Sequence, residues 1–155
     1  MTVDRSVTHA TFVIERTYAA SPARVFIAFA DPTIKARWFG NDDASSSHHE
    51  LDFRLGGREI SRGSLPDGHS YVYEACFRDI VQNQRIVTTY EMYLDDARIS
   101  VSVATVELEP EGSATRMVFT EQGAYLDGLD TPAQREHGTR ELLEALGAEL
   151  ARMPA

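Results

Sequence analysis

The chain has 155 residues, enough for one hydrophobic core with little left for a second. Its 43% hydrophobic and 25% charged residues exclude wholesale disorder, a collagen-like fibre and a small disulfide scaffold. The formal net charge is −9, from 24 acids against 15 bases; it repels phosphate backbones and removes nucleic acid from the expected partners.

His9 to Tyr18 predicts a first strand, with Phe12, Ile14, Arg16 and Tyr18 sharing one face. Ser21-Pro22 and Asp31-Pro32 are each an N-cap residue followed by proline at the first helical position. They predict two short helices, the second running to about Phe39 and stopped by Gly40. Residues 41–47 are small and polar and predict a loop.

Six further strands are expected, at His48 to Arg54, Arg58 to Leu65, Ser70 to Ile80, Arg85 to Leu94, Arg98 to Glu109 and Ala114 to Gln122. Short turns such as Pro66-Asp67-Gly68 and Pro110-Glu111-Gly112 imply an antiparallel meander. In Arg98 to Glu109 the apolar parity switches from Ile99, Val101 and Val103 to Ala104, Val106 and Leu108, which predicts a β-bulge near Val103-Ala104. Gly123 to Asp130 reads as an apolar loop bounded by glycines, either a lid or a packed connection.

Thr131-Pro132-Ala133-Gln134 opens the final helix with a capping box, and the helix continues to about Met153. At 1.5 Å per residue it is a rod of roughly 30 Å, matching the length of a ten-residue strand. The order of elements implies a single α+β domain over residues 1–155, with its core at about 8–153.

Cys76 is the one cysteine, so no intramolecular disulfide can form, and a cytoplasmic location is expected. No apolar stretch reaches the roughly 20 residues that span a bilayer, and Met1 to Arg5 lacks the charged-then-apolar pattern of a signal peptide. Neither membrane insertion nor export is expected.

Several segments carry a family resemblance. They are Pro22-x-x-Val25-Phe26-x-Ala28-Phe29-x-Asp31-Pro32, Trp38-Phe39-Gly40, Phe53-Arg54-Leu55-Gly56-Gly57-Arg58, Pro66-Asp67-Gly68, Arg85-Ile86-Val87, Thr115-Arg116-Met117 and Glu136-His137-Gly138. Taken in order, they resemble the activator of heat-shock protein 90 ATPase homologue family, within the START/SRPBCC superfamily that includes the birch-pollen allergen. The resemblance covers about residues 8 to 153. It implies a helix-grip fold: a curved antiparallel sheet of six to seven strands gripping the long C-terminal helix, with a cavity between them for a small apolar molecule. Three positions depart from the family pattern: Ala75 stands for a glycine, Glu121 for a common histidine and Thr139 for a tryptophan.

Leu143, Leu146, Leu150 and Met153 form an apolar stripe on the final helix, which runs back to Thr139 and Glu136. That polar half either meets solvent or faces the cavity. Tyr71, Tyr73 and Phe77 share one parity on their strand, and Tyr90 and Met92 share one on theirs; they read as cavity wall or as plain core. Met117, Phe119 and Glu121 share a third face. With Trp38 these residues make up the candidate binding set. A carboxylate on that face needs a cation, and Arg16 is the expected partner of Glu121. The pair reads as structural, or as a general acid/base with the tyrosines. His48 and His49 point to opposite faces, no metal-ligand spacing is present, and no cofactor is implied.

The leading expectation is non-covalent binding of a small hydrophobic or amphipathic molecule, lipid included, rather than catalysis. A co-chaperone acting on a heat-shock ATPase and a polyketide cyclase or lyase are the alternatives. Oligomeric state is left open, a homodimer included.

Overall fold

The structure is a computed structural model, and it describes residues 4–40 and 47–154. The predicted loop at 41–47 lies outside the described residues except for Ser47. Strand β1 (Val7–Tyr18) leads into helices α1 (Pro22–Ala30) and α2 (Pro32–Trp38). Strands β2 (His48–Leu51), β3 (Arg58–Ser64), β4 (Ser70–Val81), β5 (Arg85–Leu94), β6 (Ala97–Glu111) and β7 (Ala114–Leu126) follow, and helix α3 (Pro132–Arg152) closes the fold.

The seven strands form one antiparallel sheet in the order β1-β7-β6-β5-β4-β3-β2. Sequence neighbours pair throughout the meander. β1 alone is displaced, because the α1–α2 excursion carries the chain across the sheet before β2 begins. This is the α+β helix-grip fold.

The helices start where the caps require. The side chains of Ser21, Asp31 and Thr131 accept from the backbone N–H of Arg24, Ile34 and Gln134 at 3.3, 3.0 and 3.2 Å. The expected reciprocal half of the α3 capping box is made by a different residue. Asp130 Oδ1 accepts from Thr131 N–H at 2.8 Å, and Gln134 is exposed at the edge of the cavity.

Three strand features differ from expectation. β2 ends at Leu51 because the chain folds tightly at Gly57: a Cβ there would lie 2.1 Å from the Asp52 carbonyl oxygen. The bulge in β6 is at Ile99 instead of Val103-Ala104. Met92 pairs with Ser100 and Tyr93 with Arg98, so Ile99 is the extra residue. β7 runs on to Leu126, so the first half of the Gly123 to Asp130 segment is strand, and its Tyr125 is buried.

α3 contacts β1, α1 and α2. Leu143, Leu146 and Leu150 are buried against Ile14, Tyr18, Leu108 and Met117. Gly147 lets the Tyr18 ring come close, and the Tyr18 hydroxyl donates to the Leu143 carbonyl at 2.8 Å. Seven strands at about 4.8 Å spacing make a sheet roughly 29 Å wide, while a helix with its side chains is about 10–12 Å across. One helix lying along the β1 side therefore leaves the β3–β5 side of the concave face uncovered. Among the described residues, no helix is long and apolar enough to cross a membrane.

Candidate functional site

The uncovered concave face holds a cavity of about 580 Å³. Its inner wall is apolar: Phe77, Ile86, Met92, Val106 and Phe119 from the sheet, Leu142 and Leu143 from α3. Alternation along each strand sends these side chains to one face. The first half of α3 contributes Gln134, Arg135, Gly138 and Thr139, with no bulky apolar side chain among them.

Ten of the predicted residues line this cavity: Trp38, Tyr71, Tyr73, Phe77, Tyr90, Met92, Phe119, Glu121, Thr139 and Leu143. Met117, Arg16 and Glu136 do not. Met117 is fully buried beneath α3 in the closed part of the core. Arg16 pairs across the sheet with Met117 and reaches Glu144 on α3 at 3.8 Å, whereas Phe12 is the residue opposite Glu121. Four residues of strand separate Phe12 from Arg16, roughly 13 Å, so the expected Arg16–Glu121 pair cannot form. Glu136 pairs with Arg140 on the same helix at 2.8 Å. The cavity is offset from the apolar stripe, which brings Arg135 inward in its place.

Arg135 organises the first of two buried polar clusters. Its Nη2 donates to Ser100 Oγ at 2.7 Å and to Asp130 Oδ2 at 2.8 Å; its Nη1 donates to the Tyr90 hydroxyl at 2.8 Å. The Tyr90 hydroxyl in turn donates to Glu121 Oε2 at 2.8 Å, which Arg135 Nη1 approaches at 3.5 Å. Burial raises the Glu121 carboxyl above its usual value, and Arg135 and Tyr90 offset only part of that rise. Burial and the neighbouring Glu121 raise the Tyr90 phenol, and burial pushes Tyr125 up to about 12. Both phenols are therefore neutral donors near pH 7. The hydroxyls of Tyr71, Ser102 and Tyr125 are buried with no hydrogen-bond partner among the described residues.

The second cluster escaped the sequence reading. Lys35 of α2 is 5% exposed and meets Glu59 of β3, which is fully buried, at 2.7 Å. His49 Nε2 reaches the other Glu59 oxygen at 2.8 Å. Burial alone would raise the Glu59 carboxyl; Lys35 and His49 together outweigh it and hold the group below its usual value. The Lys35 ammonium also lies 4.5 Å from the Phe39 ring centroid, a cation–π contact. Lys35 lines the cavity, as does Phe39. The inward positions of β3, Glu59 and Ser61, are both polar, so alternation offered no sign that this face is buried. Lys35 carried one faint signal: it is the only lysine of the chain, three residues before Trp38.

Among the described residues, no group of three or more His, Cys, Asp or Glu could hold a metal ion. The arrangement offers neutral phenol donors, one carboxyl group whose pKa burial raises, and two cations each already matched to an acid.

A family model for "Activator of Hsp90 ATPase homolog 1-like protein" matches residues 19–153. An uncharacterised protein from Rhizobium leguminosarum is 43% identical with a TM-score of 0.92, over 97% of this chain and 99% of that one. A protein from Rhizobium loti is 51% identical with a TM-score of 0.87, over 93% and 99%. A protein from Chromobacterium violaceum, 24% identical with a TM-score of 0.76 over 90% and 96%, shares the fold. A comparison with curated proteins gives no match.

Proposed function

The chain belongs to the family of Activator of Hsp90 ATPase homolog 1-like proteins, and from that premise we propose that it binds a small amphipathic molecule non-covalently in the cavity between sheet and α3. The observation that carries this reading is a cavity of about 580 Å³ lined mainly by apolar side chains, with a few buried polar groups held in place by hydrogen bonds. That volume lies within the range of small-molecule sites, as does the mix of aromatic walls with a few convergent polar groups. The reading is cytoplasmic and needs no cofactor.

Thr139 supplies the test. It is buried, lines the cavity, and its hydroxyl donates to the Arg135 carbonyl within the helix at 2.9 Å. Thr139→Trp places an indole in the space. The wild type should bind 1-anilinonaphthalene-8-sulfonate saturably with a blue-shifted emission, and native mass spectrometry of freshly purified protein should show a non-covalent adduct. Thr139→Trp should lose both while keeping the wild-type circular dichroism. A folded Thr139→Trp that binds the dye as well as wild type would sink the proposal.

The family's description supports a second reading, stimulation of a heat-shock ATPase. Addition of the protein to a purified ATPase of that class should then raise its hydrolysis rate, and Thr139→Trp should leave the rise intact if an outer surface is responsible.

A further inference from the structure

The two ionic clusters open onto one cavity with opposite hydrogen-bonding characters. Lys35 donates to Glu59 at 2.7 Å; around it stand the rings of Phe39, Trp38 and Phe29, with centroids at 4.5, 6.0 and 5.9 Å. Glu59 already balances its charge. A further group at that ammonium is therefore an uncharged acceptor, since a second anion would meet the Glu59 carboxylate beside it. Glu121 has the complementary need. Its Oε2 takes the bonds from Tyr90 and Arg135, and the Ser102 hydroxyl is the further polar neighbour of the carboxyl, which leaves acceptor capacity on Oε1. Arg135 faces two acids there, Glu121 and Asp130, so that end of the cavity accepts a donor.

An aromatic wall joins the two ends. Phe39 and Tyr73 have ring centroids 5.0 Å apart, and Tyr73 and Tyr90 are 4.8 Å apart. All three rings line the cavity. Phe39 touches the Lys35 end and Tyr90 the Glu121 end.

Building on the cavity-binding reading above, the geometry points to a bipolar ligand: an elongated apolar molecule with an uncharged hydrogen-bond acceptor at one end, held by Lys35, and a hydroxyl-type donor at the other, held by Glu121. Its body lies along Phe39, Tyr73 and Tyr90.

Four probes of one shape test this: 4-acetyl-4′-hydroxybiphenyl, 4-acetylbiphenyl, 4-hydroxybiphenyl and biphenyl, titrated into isotopically labelled protein and followed by two-dimensional NMR. The two-ended probe should bind about tenfold or more tighter than either one-ended probe, and each of those tighter than biphenyl, because each end adds a hydrogen bond to a buried polar group. Glu121→Gln should shrink the gain from the hydroxyl and leave the gain from the acetyl. The double variant Lys35→Met/Glu59→Gln should do the reverse. The wild-type series decides by itself if either variant fails to fold. A one-ended probe that matches the two-ended one overturns the bipolar assignment, as do four equal affinities, and both results leave the cavity reading standing. No binding by any probe, biphenyl included, overturns both.

Discussion

Glu59 and Glu121 are both buried carboxylates on inward faces of the same sheet, yet their acidities move in opposite directions. Desolvation acts alike on the two. The difference lies in what each shares. Glu59 has Lys35 and His49 on separate oxygens at 2.7 and 2.8 Å. Glu121 stands 3.5 Å from an arginine that is closer to Asp130, and its nearer partner is the neutral Tyr90. A cation divided between two acids does not stabilise both as it would one. Glu59 is thereby part of the framework that fixes α2 onto β3, and Glu121 is the polar group left underused at the cavity.

The largest effect that follows is on Glu59. Glu59→Gln removes the acid paired with Lys35 among the described residues and leaves an ammonium buried, so stability in urea unfolding should fall by about 3–5 kcal/mol. The double variant Lys35→Met/Glu59→Gln removes both charges and should recover most of that loss. A double variant no more stable than Glu59→Gln would show that packing, and not the unpaired charge, sets the cost.

A smaller loss is expected from Arg135→Met, about 1–3 kcal/mol, because Ser100, Asp130 and Tyr90 lose their shared donor. Burial already raises the pKa of Glu121 toward favouring its neutral form, so loss of Arg135 strands less charge there than loss of Glu59 does at Lys35. A loss as large as that of Glu59→Gln would erase the contrast between the clusters.

Glu121→Gln should be nearly silent at neutral pH, within about 1 kcal/mol of wild type by thermal unfolding. Its signature is in the pH dependence. The folded-state value of Glu121 lies above the ordinary 4.5, so the folded protein holds this proton more tightly than the unfolded chain. Wild-type stability relative to Glu121→Gln should therefore be greatest in acid and decline as pH rises from 4.5 through the raised value. Glu59 runs the other way. Its stabilisation is present above 4.5 and is lost as pH falls through its lowered value. Stability curves of wild type and the two Gln variants between pH 3 and 8 separate these slopes, and parallel curves would contradict the assignment.

Much of this protein follows from local chemistry. Ser21, Asp31 and Thr131 announce the helix starts because a cap is a contact between a side chain and the backbone three residues on. The sheet face of Tyr71, Tyr73, Phe77, Tyr90 and Met92 follows from the two-residue period of a strand. The leucine stripe of α3 follows from the helical period. The tertiary structure decided which side of α3 the cavity takes and which charges meet in it. Helix position over a sheet far wider than the helix depends on packing, and no local period encodes it; so Arg135 faces the cavity and Glu136 does not. The partners of Glu121 and Glu59, Tyr90 and Lys35, are 31 and 24 residues away along the chain, brought together by strand pairing and by the seating of α2. Arg16 had the right charge and the right face of its strand, but lay four residues too far along it.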